Sequence, residues 1–195
     1  MKKQTLTRED WLVKATALLA PHFKAAGYTI PANVRMTCGF PSTKALSSSK
    51  RRIGECWSAE ASGDKHFEVF ISPVPDNQLE VLGVLVHELI HATVGLKAGH
   101  KGAFVAAARA LLLEGKPSST TVGEEFETKI GAPVLRKLPP YPHTRLFATV
   151  KEKKQTTRLL KCVCPECGYT VRTTATWLEM GAPICPVDDV SMEEA

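Results

Sequence analysis

The sequence predicts an α+β fold, and three observations predict it. An amphipathic helical pattern opens the chain, short alternating or β-branched segments follow, and a long helix that is apolar nearly all round occupies the middle. The chain has 195 residues, enough for one good core and a small appendage. Its hydrophobic fraction of 44% and charged fraction of 23% exclude a disordered or fibrous chain. The formal net charge of +5 is mild, compatible with an acidic partner without demanding one.

Residues 7–27 read as the first helix. Thr7 can cap it, Glu9 and Asp10 fall in its first turn, Trp11, Leu12, Ala15, Leu18 and Leu19 form its apolar stripe, and Gly27 ends it. The segment YTIPANVRMTCGF can supply a strand after Pro31, and the basic, Ser-rich PSTKALSSSKRRIG reads as an exposed loop. ECWSAEAS and KHFEVFISP look like two strands across the turn SGD, with Phe67, Val69 and Ile71 on one side of the second and Pro73 and Pro75 stopping it. The pattern turns helical again from Leu79 to about Leu96, and a helix apolar on every side belongs at the centre of a domain. Gly95 and Gly99 suit its exit turn. A further helix over about 102–114 presents Phe104, Val105, Ala108, Leu111 and Leu112 inward. The Pro-rich GAPVLRKLPPYPHTRLF cannot be regular helix and is expected to wrap over the core, and the charged KEKKQTTR reads as a hinge. The expected division is therefore a core over residues 1–150 and a tail module over 151–195.

No run approaches membrane-spanning length, and Arg8, Glu9 and Asp10 interrupt any apolar leader. The expectation is a cytoplasmic chain with no membrane partner. Six cysteines in that compartment mean thiols and metal rather than disulfides. Cys38 and Cys56 lie alone and read as small buried side chains, whereas Cys162, Cys164, Cys167 and Cys185 crowd the tail.

Two constellations carry chemistry. In the long helix His87 and His91 lie four apart, about 40° and 6 Å from one another, so both project from one side and can reach one ion. Glu88 is offset by one residue and can take a proton from a metal-bound water without itself binding the metal. His100 can return a third nitrogen after the glycine turn, which leaves a fourth position open for water. In the tail, Cys164-Pro-Glu-Cys167-Gly168 is a metal-binding knuckle, and Cys185 follows at the spacing of a second one. The fourth ligand is open between Cys162, two residues before Cys164, and Asp188, where a second knuckle would end.

The stretch VHELIHATVGLKAGHKGAF resembles the active-site segment of the SprT-like zinc metallopeptidases, which carry HExxH, a variable turn, a Gly-His pair and a downstream aromatic. GFPS and GECWS are similar to segments of compact members encoded by bacteriophages and bacteria, so the expected cytoplasm is bacterial, or the host's for a phage chain. The resemblance implies a zincin-like core with an HExxH helix and a small antiparallel sheet. It also implies a catalytic zinc on His87, His91 and His100 with Glu88 as the acid/base, and a structural zinc in a C-terminal ribbon, since many of these proteins end in one. Spartan-type members cut proteins crosslinked to DNA, which implies a protein or peptide substrate and a DNA-associated setting.

The function expected is thus a zinc-dependent endopeptidase. The alternative is a DNA-binding or regulatory zinc protein with little or no proteolysis, and hydrolysis of a non-peptide bond is a third. Tyr141, His143 and Arg145 are candidates to stabilise the oxyanion, although simple surface placement is favoured for each. The strand HFEVFIS is expected to offer a free edge for an extended substrate. Arg158, Lys161 and Arg172 beside Tyr169 and Trp177 suit a nucleic-acid surface, against the equal alternative that zinc merely staples a small module.

Overall fold

The computed structural model describes residues 6–47, 49–147 and 158–195. The hinge expected over 151–158 therefore falls, up to residue 157, outside the described residues. The chain divides into two compact units, Met1–Thr149 and Val150–Ala195, and it is an α+β protein with small sheets.

In the first unit, α1 (Arg8–Ala25) begins in a capping box. The Thr7 hydroxyl accepts from Asp10 N while the Asp10 carboxylate accepts from Thr7 N, satisfying two orphan donors at once. Trp11, Leu12, Ala15, Leu19 and Phe23 are fully buried along one face. The strands β1 (Val34–Cys38), β2 (Gly54–Trp57) and β3 (Phe67–Ile71) form a sheet in the order β1-β3-β2. Two expectations need correction here. The sheet is mixed rather than antiparallel, because β1 and β3 run parallel while β2 returns antiparallel. The strand HFEVFIS is central and hydrogen-bonded on both sides, so the free edge near the helix belongs to β2. Of the expected strand ECWSAEAS, the second half is a 3₁₀ turn, Ala59–Ala61.

The central helix α2 (Gln78–Val94) is capped by Asn77, whose side chain accepts from Leu79 N and Glu80 N. Gly95, at φ +84°, ends it in a conformation that favours glycine. The helix packs between the sheet and α3 (Ala103–Ala110), burying Val81, Leu82, Leu85, Val86, Leu89 and Ile90 completely. The helix expected over 102–114 is shorter than its periodicity suggests. Leu112 adopts φ +62°, and β4 (Leu113–Lys116) turns into a hairpin with β5 (Ser119–Val122) that lies along α2. Gly83 permits that approach, since a Cβ there would collide with the Val122 side chain.

The Pro-rich stretch also differs from expectation at its start. Helix α4 (Glu124–Phe126) runs through a π-helical segment, Glu127–Gly131, into α5 (Ala132–Leu135), which accommodates Pro133 where the wider turn makes room for its ring. Beyond it the chain does cross the core: Trp11 Nε1 donates to Pro139 O at 2.9 Å, and Tyr141 packs edge-on against Trp11. Cys38 and Cys56, expected to be buried, are only half-buried. Cys38 ends the edge strand β1 and Cys56 lies in the edge strand β2.

In the second unit β6 (Leu159–Val163) pairs antiparallel with β7 (Thr170–Thr174) and with the short β8 (Glu193–Glu194), giving the order β7-β6-β8. Helix α6 (Ala175–Met180) follows β7. Among the described residues the buried core of this unit is Cys162, Cys164, Cys185 and Met192, with Val171, Leu178 and Val190 against it.

Candidate metal centres

Helical spacing places His87 and His91 on one side of α2, and the turn through Gly95 and Gly99 returns His100 to them. His100 Nε2 lies 3.2 Å from His87 Nε2 and 3.1 Å from His91 Nε2. Phe104, in the first turn of α3, packs against all three rings with centroid separations of 4.5–4.9 Å. His87 is oriented from behind by Thr120 of β5, whose Oγ1 lies 2.8 Å from His87 Nδ1. A partner on the second nitrogen is how a metal-ligating histidine is usually held.

The donor set fits a tetrahedral cation. Nitrogens bonded to zinc at about 2.0–2.1 Å stand about 3.3–3.4 Å apart at the tetrahedral angle, close to the separations found here. Burial first, then the neighbouring imidazoles, pushes His87 down to about 3; the same burial and the His100 ring push His91 down to about 4. His100 is also lowered, by burial and then by the Arg52 charge. The three rings are therefore neutral near pH 7 and turn lone pairs toward a common point. Among the described residues no fourth His, Cys, Asp or Glu donor joins them, so three of four tetrahedral positions are supplied.

Glu88 stands beside this group and outside it. It is 6% exposed, and burial raises its carboxyl to about 8 against the opposing pull of Arg52. Strand β2 presses on it: a Cβ at Gly54 would collide with Glu88 Oε1 and lie 2.7 Å from Val84 Cγ1. Glycine is required at 54 by space.

The three candidates for oxyanion stabilisation have other partners. Tyr141 packs on Trp11, with its hydroxyl buried and without a hydrogen-bond partner among the described residues. His143 Nε2 contacts Pro73 O at 2.5 Å, and Arg145 stacks over Phe147. The ring contacts of the three metal-site histidines are with one another and with Phe104. Thr120, Gly54 and Arg52 are the neighbours that sequence reasoning missed. Thr120 gives no local signal once its hairpin is absorbed into a helix, whereas the glycine before ECW and the adjoining pair of arginines are visible, but only as loop composition.

The second centre gathers Cys164, Cys167, Cys185 and Asp188, whose ligand atoms all lie within 4.8 Å of one another. Cys167 Sγ is 3.6 Å from Cys185 Sγ, and Asp188 Oδ2 is 3.2 Å from Cys164 Sγ and 3.5 Å from Cys185 Sγ. Thiolates bonded to zinc at about 2.3 Å would stand about 3.8 Å apart, so this set also fits. Of the two candidates left open by spacing, it is Asp188 that lies with the three cysteines. Cys162 is instead buried in the small core. The backbone explains the choice, because two similar turns supply the ligands. Gly168 N donates to Cys164 O in one and Asp189 N to Cys185 O in the other, and the residue after the second ligand is left-handed in both, Gly168 at φ +75° and Asp189 at φ +55°.

Lys161 lies directly opposite Arg172 across β6 and β7, and both are exposed with Arg158, Tyr169 and Trp177. From Arg158 onward, however, the chain carries three basic residues against six acidic ones.

No helix among the described residues is long and apolar enough to cross a membrane. Comparison with protein-family models, with curated proteins and with solved structures finds no match to this chain.

Proposed function

We propose that the first unit is a zinc-dependent peptidase with a zincin-like core of the SprT-like kind, and that the second is a zinc ribbon in which Asp188 takes the place of a fourth cysteine. One observation carries the reading: three imidazole nitrogens converge on a point with a vacant fourth direction, and a buried carboxylate stands next to them without joining them. A structural site would close the fourth position.

A zinc ion held there would supply a Lewis acid that polarises a carbonyl and lowers the pKa of water. His87, His91 and His100 would hold it through Nε2, and Thr120 and Phe104 keep the first ring and the set as a whole in place. Glu88 accepts the proton of the attacking water as the C–O bond forms and returns it to the amide nitrogen as the C–N bond breaks. Its burial suits that task, since a carboxyl whose proton affinity is raised toward neutrality can both take and release a proton near pH 7.

The test pairs metal content with hydrolysis. Elemental analysis of the native chain should return two zinc ions, one per cluster, and His91→Ala should return one. Glu88→Gln should keep both ions and lose about 10²–10⁴-fold in peptide hydrolysis. A Glu88→Gln protein that still cuts peptides at the native rate would end the peptidase reading.

The exposed Lys161–Arg172 pair, which makes no ion pair among the described residues, favours a second reading, a nucleic-acid-binding zinc protein acting on DNA-associated targets or without proteolysis. Exchanging both for alanine should then reduce the salt dependence of DNA binding. The acidic excess of the same module weighs against a large effect.

A further inference from the structure

The mixed sheet turns Gly54, Cys56, Val69 and Ile71 toward the core and α2, so the alternate residues of β2 and β3 face the other way. On that outer face Glu55 stands opposite Phe70, and Trp57 stands opposite Glu68. Rings and carboxylates therefore alternate both along the strands and across them. Phe40, just past β1, adds a third ring, and together these side chains line a cavity of about 270 Å³.

The two kinds of wall are presented differently. Phe40 and Trp57 are 41% and 43% exposed, leaving much of each ring open to solvent. The carboxylates are recessed, with side chains only 12% exposed at Glu55 and 20% at Glu68. Ser42 N and Oγ both donate to Glu55 at 2.8 Å, and Arg52 Nη1 donates to it at 2.7 Å, which favours its charged form. Glu68 Oε1 accepts from Arg35 Nη1 and Ser62 Oγ, both at 3.0 Å, while Oε2 has no partner among the described residues. Arg35 divides its donors between Glu68 and Asp64. Neither Arg35 nor Arg52 lines the cavity, and among the described residues no other cationic side chain does.

Open aromatic faces attract a cation, and recessed carboxylates accept its N–H groups. A guanidinium satisfies both at once, because it is flat enough to stack on a ring and more weakly hydrated than an ammonium. The volume suits one side chain, lying just below the range of about 300–1,000 Å³ that holds a small-molecule ligand. Among the described residues β2 is paired only with β3, so its other edge is open to a further strand. A polypeptide extended along that edge sends successive side chains to opposite faces of the sheet, and thus one of them over the cavity.

We propose that this cavity is a binding site for an arginine side chain of a polypeptide that pairs with the open edge of β2. It lies on the face of β2 opposite to the one that meets Glu88, and it does not depend on the peptidase reading.

The test uses the zinc-loaded full-length chain carrying Glu88→Gln, so that no probe is cut. Short capped alanine peptides with a central arginine, citrulline, lysine or leucine are titrated into it. The readouts are affinity by calorimetry and the NMR signal of the Trp57 indole N–H, identified by its absence from a Trp57→Phe chain. The arginine peptide should shift that signal and bind about tenfold or more tightly than the citrulline peptide, which keeps the shape and lacks the charge. Lysine should fall between them. Trp57→Ala and Phe40→Ala alter exposed rings and leave the core intact, and each should remove most of the preference for arginine. Glu68→Gln should do the same, and should that chain fail to fold for want of the Arg35 pair, the two ring variants decide. Equal binding of the arginine and citrulline peptides overturns the proposal. So does a lysine or leucine peptide that binds as well as arginine, or a preference that survives Trp57→Ala. Hydrolysis by the native chain is scored separately. Arginine preference without any peptide cut would sink the peptidase reading alone, and cutting without that preference would sink the cavity alone.

Discussion

Gly54 lies against Glu88 with no room for a methyl group, and its φ is not left-handed, so close approach is what it provides. Gly54→Ala should push the Glu88 carboxylate aside while leaving the three imidazoles on their own elements. The expected result is about a 10²-fold fall in peptide hydrolysis at unchanged zinc content. Hydrolysis at the native rate would show that β2 does not position the carboxylate. Residues differ in how much of this the sequence reveals. His87 and His91 are legible because helical spacing is rigid, and His100 because its turn is short and glycine-bearing. The choice between Cys162 and Asp188 is not, since a position two before Cys164 and one three after Cys185 are both within reach, and it is the turn with left-handed Asp189 that brings Asp188 to the cysteines. Thr120 is invisible because its contact with His87 spans two elements that no local pattern connects.

Elements are tied together by carboxylates. Arg35 of β1 pairs with Asp64 and, at 3.0 Å, with Glu68 of β3, while the Asp10 side chain closes the cap of α1. Hydrogen bonds from Ser62 and then Arg35 hold Asp64 well below the usual carboxylate range, and those from Thr7 lower Asp10. Unfolding returns both groups to about pH 4. The unfolded chain therefore binds more protons in the window below that value, so their contribution is complete above about pH 4 and is lost as pH falls toward the folded pKa. Urea midpoints should drop between pH 7 and pH 3, and Asp64→Asn should show the smaller drop. A variant as acid-sensitive as the native chain would remove Asp64 from the account. Element by element, α1, α2, β1 and β3 follow the sequence pattern closely, and β2 only in its first half. The β4–β5 hairpin does not, because Leu111, Leu112 and Leu113 continue a helical period until the backbone turns left-handed at Leu112. Nor does strand order, since pairing partners are set by crossovers that hydrophobic alternation does not encode.

The molecule as a whole is two units with unequal means of staying folded. The first buries a continuous core through α1, the sheet, α2 and α3, whereas the second buries four side chains among the described residues, three of them cysteines and two of those in its candidate metal cluster. Metal binding is folding free energy for so small a module. A strong chelator should thus make residues 158–195 sensitive to limited proteolysis while the fragment ending near residue 147 persists. Equal resistance of the tail with and without chelator would show that its packing suffices alone. That division is the part of the whole most readable in composition, because the cysteines concentrate where apolar side chains become too few for a core. The two donor sets also differ in element. Imidazole nitrogen resists peroxide under conditions where thiolate sulfur passes through sulfenic acid to disulfide, and Cys167 is the exposed entry to the tail cluster. If both clusters hold metal, oxidative stress would accordingly dismantle the tail cluster first and spare the histidine centre, so the two units of this chain would fail in a fixed sequence.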